Sequence, residues 1–384
     1  MLALFSALAA MCFVPAPKAA VDRRQVLAAP LLTSMAAAVS ASSTAPTTER
    51  AFTHSLTSVA VAGVSIPVAV WRPATTFAAP ATYPYKIDIG KIAKKLRVGW
   101  LGWLPSFSFD LPCGAVTAAS PPAGFARARD GDCLLFAHGF LGSIYDFAHA
   151  AEAMAADGFT VVAPELPESL SASFIPPDGL GREEIIAAAR ELIDSGADGS
   201  GSGGDGSGGA PKRRWGIFGH SAGAGSALNQ RGDYSLGRAA LAAGLRRGYD
   251  SRDPIFLCCS DGDGCNAFMA RSGYDLRSAI ADGGFTTFGS ISEAYASPSR
   301  RPPSRASFIF SDENTPAPLP CHISFLWSEV DEAMASLLTP FLPLAKALGL
   351  FLLDFDVYLE TRDAEKTAAQ VVPALRRFFL SNSA

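Results

Sequence analysis

The stretch RWGIFGHSAGAGSAL, residues 214–228, constrains the fold of this chain more than any other part of the sequence. An apolar run that ends at Phe218 predicts a strand, and the small residues from Ala222 onward predict a helix. Ser221 stands at the corner between them, within the pattern Gly-x-Ser-x-Gly. Glycine is needed two positions either side because a Cβ there would clash in so sharp a turn. The pattern therefore predicts a nucleophile elbow, which presents a serine hydroxyl at the top of a sheet.

The alternative interpretation of the same pentapeptide is a glycine-rich turn that carries an incidental serine. Such strand-to-helix turns are common, and the pentapeptide fits both interpretations equally well. The choice between them depends on whether the rest of the chain supplies the partners that a catalytic serine needs.

Short apolar runs alternate with helical patterns through most of the chain. Alternating apolar residues on both sides of Gly63 predict a β-hairpin over residues 57–73. The predicted strands are 133–137, 159–165, 214–218, 238–244, 254–260 and 306–311, and the predicted helices are 146–158, 181–196 and 367–380. This alternation implies a mostly parallel sheet covered by helices on both faces. We expect one α/β domain over residues 51–384, with the α/β-hydrolase fold and a Gly/Ser-rich surface loop at 195–211.

Composition excludes several classes of partner and cofactor. The chain of 384 residues is 49% hydrophobic and 18% charged, as suits a globular enzyme with a large core. A net charge of −4 leaves no basic stripe to neutralise phosphates, so nucleic acid is not an expected partner. The seven cysteines form no C-x-x-C pair and the five histidines show no ligand spacing. We therefore expect buried thiols, no metal site and no cofactor.

The first fifty residues read as a targeting presequence followed by an Ala/Ser/Thr-rich linker. A short apolar run with small residues at its end resembles a signal peptide, and a phenylalanine follows that run. The twin arginine at Arg23 and Arg24 precedes a second apolar run, as in a thylakoid-lumen signal. This bipartite arrangement predicts a plastid address. The alternative is an ordinary secretory signal followed by a linker.

A serine nucleophile needs a base, usually a histidine that a carboxylate orients. On an α/β-hydrolase sheet these residues follow the order serine, acid, histidine along the chain. His322, in a loop after the last apolar strand, is the histidine that lies beyond Ser221. The other histidines are His54, His138, His149 and His220. Chain order and elimination therefore predict His322 as the base.

The acid and the oxyanion donors are predicted from loops that follow strands. The segment SDGDG after the strand at 254–260 offers Asp261 and Asp263, and we favour Asp263, although Asp-Gly is also a common turn signal. An oxyanion hole needs backbone N–H groups aimed at the developing charge. Ala222, at the helix N-terminus, supplies one, and Phe140 in the FAHGFLGS loop supplies the other, with Leu141 as the alternative.

The stretch LLFAHGFLGSIYDFAHAAEAMAADGFTVVAPELPESLSAS, residues 134–173, resembles the platelet-activating-factor acetylhydrolases of the plasma type. In that family an S-H-G-x turn, a Tyr-containing helix, a strand and an E-x-x-x-x-S-A-S run follow one another. The segments VWRPA, YPYKI, GHSAG and HISF fit the same family, so the resemblance covers most of residues 60–330 in order. Chlorophyllases and other lipid esterases share this skeleton. The family's acid follows the strand after the elbow, but RAALAAGLRRG holds no carboxylate, which places the acid here one strand later.

The resemblance implies a lipid ester as substrate. Two apolar segments agree with it: a basic and tryptophan-containing stretch over residues 91–109, typical of membrane interfaces, and a run over 332–353 that suits a lid. Each segment is equally compatible with core or capping structure. The leading hypothesis is a phospholipid esterase of the 1-alkyl-2-acetylglycerophosphocholine type, with peripheral contact to a membrane surface. The alternatives are a plastid chlorophyllase-type esterase and a hydrolase-fold protein that only binds lipid. Acyl length, head group and oligomeric state stay open.

Overall fold

The computed structural model describes residues 52–74, 82–88, 90, 106–113, 121–171, 173–197, 213–245, 249–271, 273–293, 303–338 and 364–384. The strands in these ranges are β1 (Phe52–Val61), β2 (Val64–Pro73), β3 (Thr82–Asp88), β4 (Ser106–Pro112), β5 (Asp132–Ala137), β6 (Thr160–Pro164), β7 (Arg214–His220), β8 (Gly237–Leu241), β9 (Ile255–Ser260), β10 (Thr286–Phe288) and β11 (Arg305–Phe310). The helices are α1 (Ala148–Ala156), α2 (Arg182–Asp194), α3 (Ala222–Asn229), α4 (Gly264–Arg271), α5 (Leu276–Asp282), α6 (Ser328–Leu338) and α7 (Ala364–Ser383).

Several sequence predictions fall partly or wholly outside the described residues. They are the presequence at 1–50, positions 198–211 of the Gly/Ser-rich loop, positions 91–105 of the basic segment and positions 339–353 of the apolar run. None of the helices in the described ranges combines the length and apolar character needed to cross a bilayer.

The central sheet has nine strands within the described ranges, in the order β1-β2-β6-β5-β7-β8-β9-β11-β10. From β6 to β10 every neighbouring pair is parallel, whereas β1 and β2 form an antiparallel hairpin that pairs with β6 at one edge. The predicted hairpin is thus confirmed, and its first strand begins five residues earlier than predicted. Because parallel strands point the same way, the loops after β5, β6, β7, β8, β9 and β11 meet at one edge of the sheet.

Both faces of the sheet are buried. Along β5, Leu134 and Phe136 belong to an apolar cluster that also contains residues of α1 and α7. The alternating residues Cys133 and Leu135 belong to a second cluster, on the opposite face, with residues of α2. Side chains of successive strand residues point to opposite faces, so the helices cover both sides. The α/β-hydrolase fold expected from the sequence is confirmed.

Helix α7 closes one face of the sheet. A Cβ at Gly216 would lie 2.8 Å from the Phe379 ring, and a Cβ at Gly237 would overlap the ring of Phe378. These glycines in β7 and β8 therefore let two phenylalanines of α7 lie directly against the backbone of the sheet. Both rings are buried, and the fit makes α7 part of the core.

An ion pair and a hydroxyl hydrogen bond fix α7 at two further points. Arg376 donates two hydrogen bonds of 2.7 Å to the buried Asp157 carboxylate that follows α1. Near the end of α7 the Ser383 hydroxyl donates to Asp132, which also receives a two-point bond from Arg214. Buried charged groups are stable only when they are paired in this way, so these bonds set the position of the helix.

A second, two-stranded sheet of β3 and β4 was not predicted from the sequence. Its strands pair in antiparallel register, from Thr82 opposite Pro112 to Asp88 opposite Ser106. Tyr83, Tyr85 and Ile87 alternate with exposed residues and are buried against the cluster that contains α1.

Candidate active site

Ser221 occupies the corner between β7 and α3, at the edge of the sheet where the parallel strands end. Its backbone has φ 56° and ψ −122°, a conformation that residues other than glycine rarely adopt. The Ser221 N–H donates to the Leu241 carbonyl at the end of β8, at 3.0 Å. A strained backbone that the surrounding structure holds in place is characteristic of functional positions.

The two glycines of the pentapeptide are required by sterics. A Cβ at Gly219 would overlap the carbonyl of Gly223, and a Cβ at Gly223 would overlap the carbonyl of Ala137 at the end of β5. Both overlaps involve backbone atoms, which have no room to move. The strand-to-helix corner predicted from the sequence is therefore confirmed, and the catalytic role of its serine stays a prediction.

His322 and Asp263 meet at the same edge of the sheet. His322 Nδ1 lies 3.0 Å from each carboxylate oxygen of Asp263, which is fully buried in the loop between β9 and α4. The same carboxylate accepts the Cys265 N–H at 2.8 Å. Asp261, the alternative acid, is exposed and pairs with Arg277 at 2.6 Å. The structure thus brings Asp263, and not Asp261, to the predicted base.

The environment of His322 favours its charged form. Burial alone would lower the pKa of this imidazole, but the Asp263 carboxylate, then Cys265, and hydrogen bonds to both raise the pKa well above its ordinary value of 6.5. A base with a raised pKa takes a proton more readily, and Nδ1–H bound to Asp263 leaves Nε2 as the accepting nitrogen.

His220, which directly precedes the serine, links the elbow to the base. Its Nε2 lies 2.9 Å from the His322 carbonyl oxygen, and the two imidazole rings are 4.8 Å apart. Burial, with the nearby His322 as a smaller cause, lowers the pKa of His220 to about 3. The ring is therefore neutral, and its Nε2–H donates to the carbonyl of His322. This bond holds His322 beside the elbow, a role that the position of His220 within the pentapeptide did not reveal.

The predicted oxyanion donors belong to two segments that adjoin the serine. Ala222 is the first residue of α3, where backbone N–H groups have no acceptor within the helix. Across the corner, a Cβ at Gly139 would lie 3.3 Å from Ser221 Cβ, so the loop of residues 138–142 runs alongside the serine. Phe140 lies at the turn of this loop, and Leu141, the alternative donor, has φ 56°.

Buried hydrogen bonds hold the 138–142 loop rigid. His138 Nε2 accepts the Leu166 N–H at 2.9 Å, so its proton is on Nδ1, which donates to the Gly139 carbonyl at 2.8 Å. The Leu170 N–H donates to the Gly142 carbonyl at 2.8 Å. His138 thus ties the loop after β5 to the loop after β6, a role that its sequence position did not reveal.

Asp146 forms hydrogen bonds at the end of the same loop. Its carboxylate accepts the Ser143 N–H at 2.9 Å and the Tyr85 hydroxyl at 2.8 Å, and its carbonyl accepts the Trp327 N–H. Burial raises the pKa of Asp146 to about 7, against the opposing effect of these hydrogen bonds. The β3–β4 hairpin is therefore connected to the site through Tyr85.

The raised pKa of His322 predicts where activity is lost in acid. Proton transfer needs neutral Nε2, so ester turnover should fall as the pH falls through a pKa above 6.5. The acid limb of a kcat/KM–pH profile should have its midpoint above pH 6.5, and Asp263→Asn should shift that midpoint down because the carboxylate is removed. A midpoint below 6.5 in the unaltered protein would contradict this assignment.

Comparison with known proteins yields similarity to solved structures only. No family model matches the chain, and no curated protein is similar to it. Brefeldin A esterase, a bacterial homologue of human hormone sensitive lipase, is 12% identical over 88% of this chain and 79% of its own, with a TM-score of 0.39. An α/β serine hydrolase without lid from Xanthomonas campestris is 13% identical over 73% and 88%, at 0.36. A putative dienelactone hydrolase from Klebsiella pneumoniae subsp. pneumoniae is 12% identical over 71% and 88%, at 0.34. With TM-scores below 0.5, these similarities carry no argument about activity.

Proposed function

We propose that this chain is a serine carboxylic-ester hydrolase that acts on a lipid ester. The observation that carries the proposal is the buried Asp263–His322 pair at the sheet edge where the elbow presents Ser221. A hydroxyl, a carboxylate and an imidazole in that chain order are the parts of a Ser-Asp-His triad.

In the proposed reaction Ser221 Oγ attacks the ester carbonyl carbon while His322 Nε2 takes the hydroxyl proton. Asp263 holds the ring through Nδ1–H and stabilises the imidazolium that forms. The backbone N–H groups of Phe140 and Ala222 stabilise the oxyanion of the tetrahedral intermediate. The intermediate collapses to an acyl-serine as the imidazolium protonates the leaving alcohol, and water, deprotonated by the same imidazole, releases the acid.

A lipid ester is supported by two exposed apolar side chains in the loops that follow β5 and β6, at the sheet edge that also carries the elbow. Phe140 is 43% exposed and Ile175 is 77% exposed, and the loops that carry them are joined by the bond from Leu170 to Gly142. Exposed side chains of this kind on the rim of a site suit an acyl chain or a membrane surface. Together with the resemblance over residues 134–173, this favours a 1-alkyl-2-acetylglycerophosphocholine-type ester.

A chlorophyllase-type esterase is the second candidate, and the plastid address expected from residues 1–50 favours it. The proposed location is the plastid, with the thylakoid lumen as a candidate compartment. Secretion is the alternative. Removal of residues 1–41 should leave activity unchanged, because that segment is the proposed presequence.

A fluorophosphonate probe tests the proposed function directly. The probe should attach covalently to Ser221, and Ser221→Ala should not be labelled, whereas Ser226→Ala, one helical turn further along α3, should be labelled normally. Matched substrates then separate the candidates, since release of acetate indicates the acetyl-phospholipid esterase and release of chlorophyllide indicates the chlorophyllase. A folded protein that neither reacts with the probe nor hydrolyses an ester is a lipid-binding protein at most.

A further inference from the structure

Cys265 lies next to Nε2 of His322, the nitrogen that accepts the serine proton in the proposed mechanism. Its Sγ is 3.9 Å from His322 Nε2, although the two residues are 57 positions apart in the chain. The thiol is partly exposed, whereas the other cysteines of the described ranges are buried, and no disulfide is formed among them. The ligand atoms of Asp263, Cys265 and His322 all lie within 4.8 Å of one another.

We propose that this cluster binds Zn²⁺ through Cys265 Sγ and His322 Nε2, and that the bound ion inhibits the enzyme. Thiolate sulfur and imidazole nitrogen together are the donors that zinc selects, whereas Mg²⁺ and Ca²⁺ prefer oxygen. The inhibitory part rests on the proposed function, because the nitrogen that holds the ion is the one that must accept the serine proton.

The distance between the two ligand atoms fits a single zinc ion. A tetrahedral zinc with a Zn–S bond of about 2.3 Å and a Zn–N bond of about 2.0 Å places its sulfur and nitrogen ligands roughly 3.6 Å apart. The observed separation is 3.9 Å, so a shift of about 0.3 Å brings both atoms into the coordination distance. Water, or the Ser221 hydroxyl, would complete the coordination.

Asp263 supplies the outer support that zinc-binding histidines usually have. A ligating histidine almost always donates its second ring N–H to a carboxylate, which fixes the tautomer and raises the basicity of the ligating nitrogen. Asp263 holds Nδ1 in this way at 3.0 Å, whereas Cys265 lies near the other ring nitrogen, Nε2. The arrangement that prepares His322 as a base also prepares it as a zinc ligand.

The absence of closely spaced cysteine and histidine ligands in the sequence led to the expectation of no metal site. The spacing of 57 residues between Cys265 and His322 gives no such signal. The fold brings them together because β9 and β11 are neighbouring parallel strands that end at the same edge of the sheet. Cys265 follows the first of these strands and His322 follows the second.

Zinc binding and zinc inhibition are measured separately on the full chain. Competition with a chromophoric chelator should show one Zn²⁺ per chain, and Cys265→Ser and Cys265→Ala should each weaken binding at least tenfold. The matched control is Cys321→Ser, because the Cys321 thiol contacts the Ser324 hydroxyl and should not affect zinc binding. Ester turnover, normalised to each variant without zinc, should need at least tenfold more Zn²⁺ for half-inhibition in the Cys265 variants. A chelator should restore activity, and Mg²⁺ should have no effect.

The measurements of zinc binding and of ester turnover test the zinc site and the proposed function separately. Unaltered zinc affinity in both Cys265 variants, or the same loss in Cys321→Ser, would overturn the zinc site. Zinc binding that depends on Cys265 in a protein without ester turnover would support the site and contradict the function. Ester turnover that zinc inhibits equally in all variants would support the function and contradict the site.

Discussion

Ser221→Ala should lower the turnover of an ester by roughly 10⁴- to 10⁶-fold, which is the usual cost of removing a triad nucleophile. In the proposed reaction the lost oxygen is the atom that forms the acyl intermediate. Folding should be unaffected, because Ser221 bonds to its surroundings through its backbone N–H, which alanine retains. The measurement is kcat on a soluble aryl ester, with thermal unfolding recorded in parallel.

The matched control is Ser226→Ala in the same helix, where turnover should change less than about threefold. The Ser226 hydroxyl donates to the Ala222 carbonyl and lies one turn beyond the corner. If a correctly folded Ser221→Ala variant hydrolysed the ester at the original rate, the serine would not be the nucleophile.

Asp263→Asn should lower kcat by about 10⁴-fold, whereas Asp261→Asn should cost less than about tenfold. The asparagine can present its amide N–H₂ to His322 Nδ1, which favours the tautomer with its proton on Nε2 and blocks proton transfer from the serine. Asp261 is held by Arg277 on the exposed side of the same loop, so its substitution leaves the imidazole oriented.

The comparison of the two carboxylates is informative because they are two residues apart and belong to one turn. Kinetics at saturating substrate separate loss of turnover from loss of binding, and KM should change little in either variant. Equal losses in the two variants would indicate damage to the loop, and a larger loss in Asp261→Asn would exchange their roles.

The sequence was sufficient to predict the sheet and the strand-to-helix corner at Ser221. Strands that are buried on both faces consist of short apolar runs. The sequence pattern therefore predicted β5 to β9 and β11. The pentapeptide specified the turn because only glycine fits against Ala137 and the carbonyl of Gly223. Chain order then selected His322 as the base, a role that activity measurements have to test.

The sequence favoured Asp263 but did not exclude Asp261, because both stand beside a glycine in one turn. Their difference arises from tertiary structure, where one carboxylate is enclosed with His322 and the other meets Arg277. His138 was likewise not assigned a role, since its partner is a backbone N–H in the loop after β6. The β3–β4 hairpin did leave a signal in the sequence, because Tyr83, Tyr85 and Ile87 alternate with Thr82, Pro84 and Lys86.

The attachment of helix α7 has a consequence for the order in which the chain can fold. Ser383 bonds Asp132 across 251 residues of sequence, and Arg376 bonds Asp157 across 219. Contacts between residues so far apart form slowly, because a long loop must close before they stabilise anything. During synthesis, β5 and β7 emerge well before α7, so the face of these strands that α7 covers stays open to solvent until α7 has left the ribosome. We therefore expect nascent chains halted before residue 364 to depend on chaperones and to aggregate when chaperones are withheld.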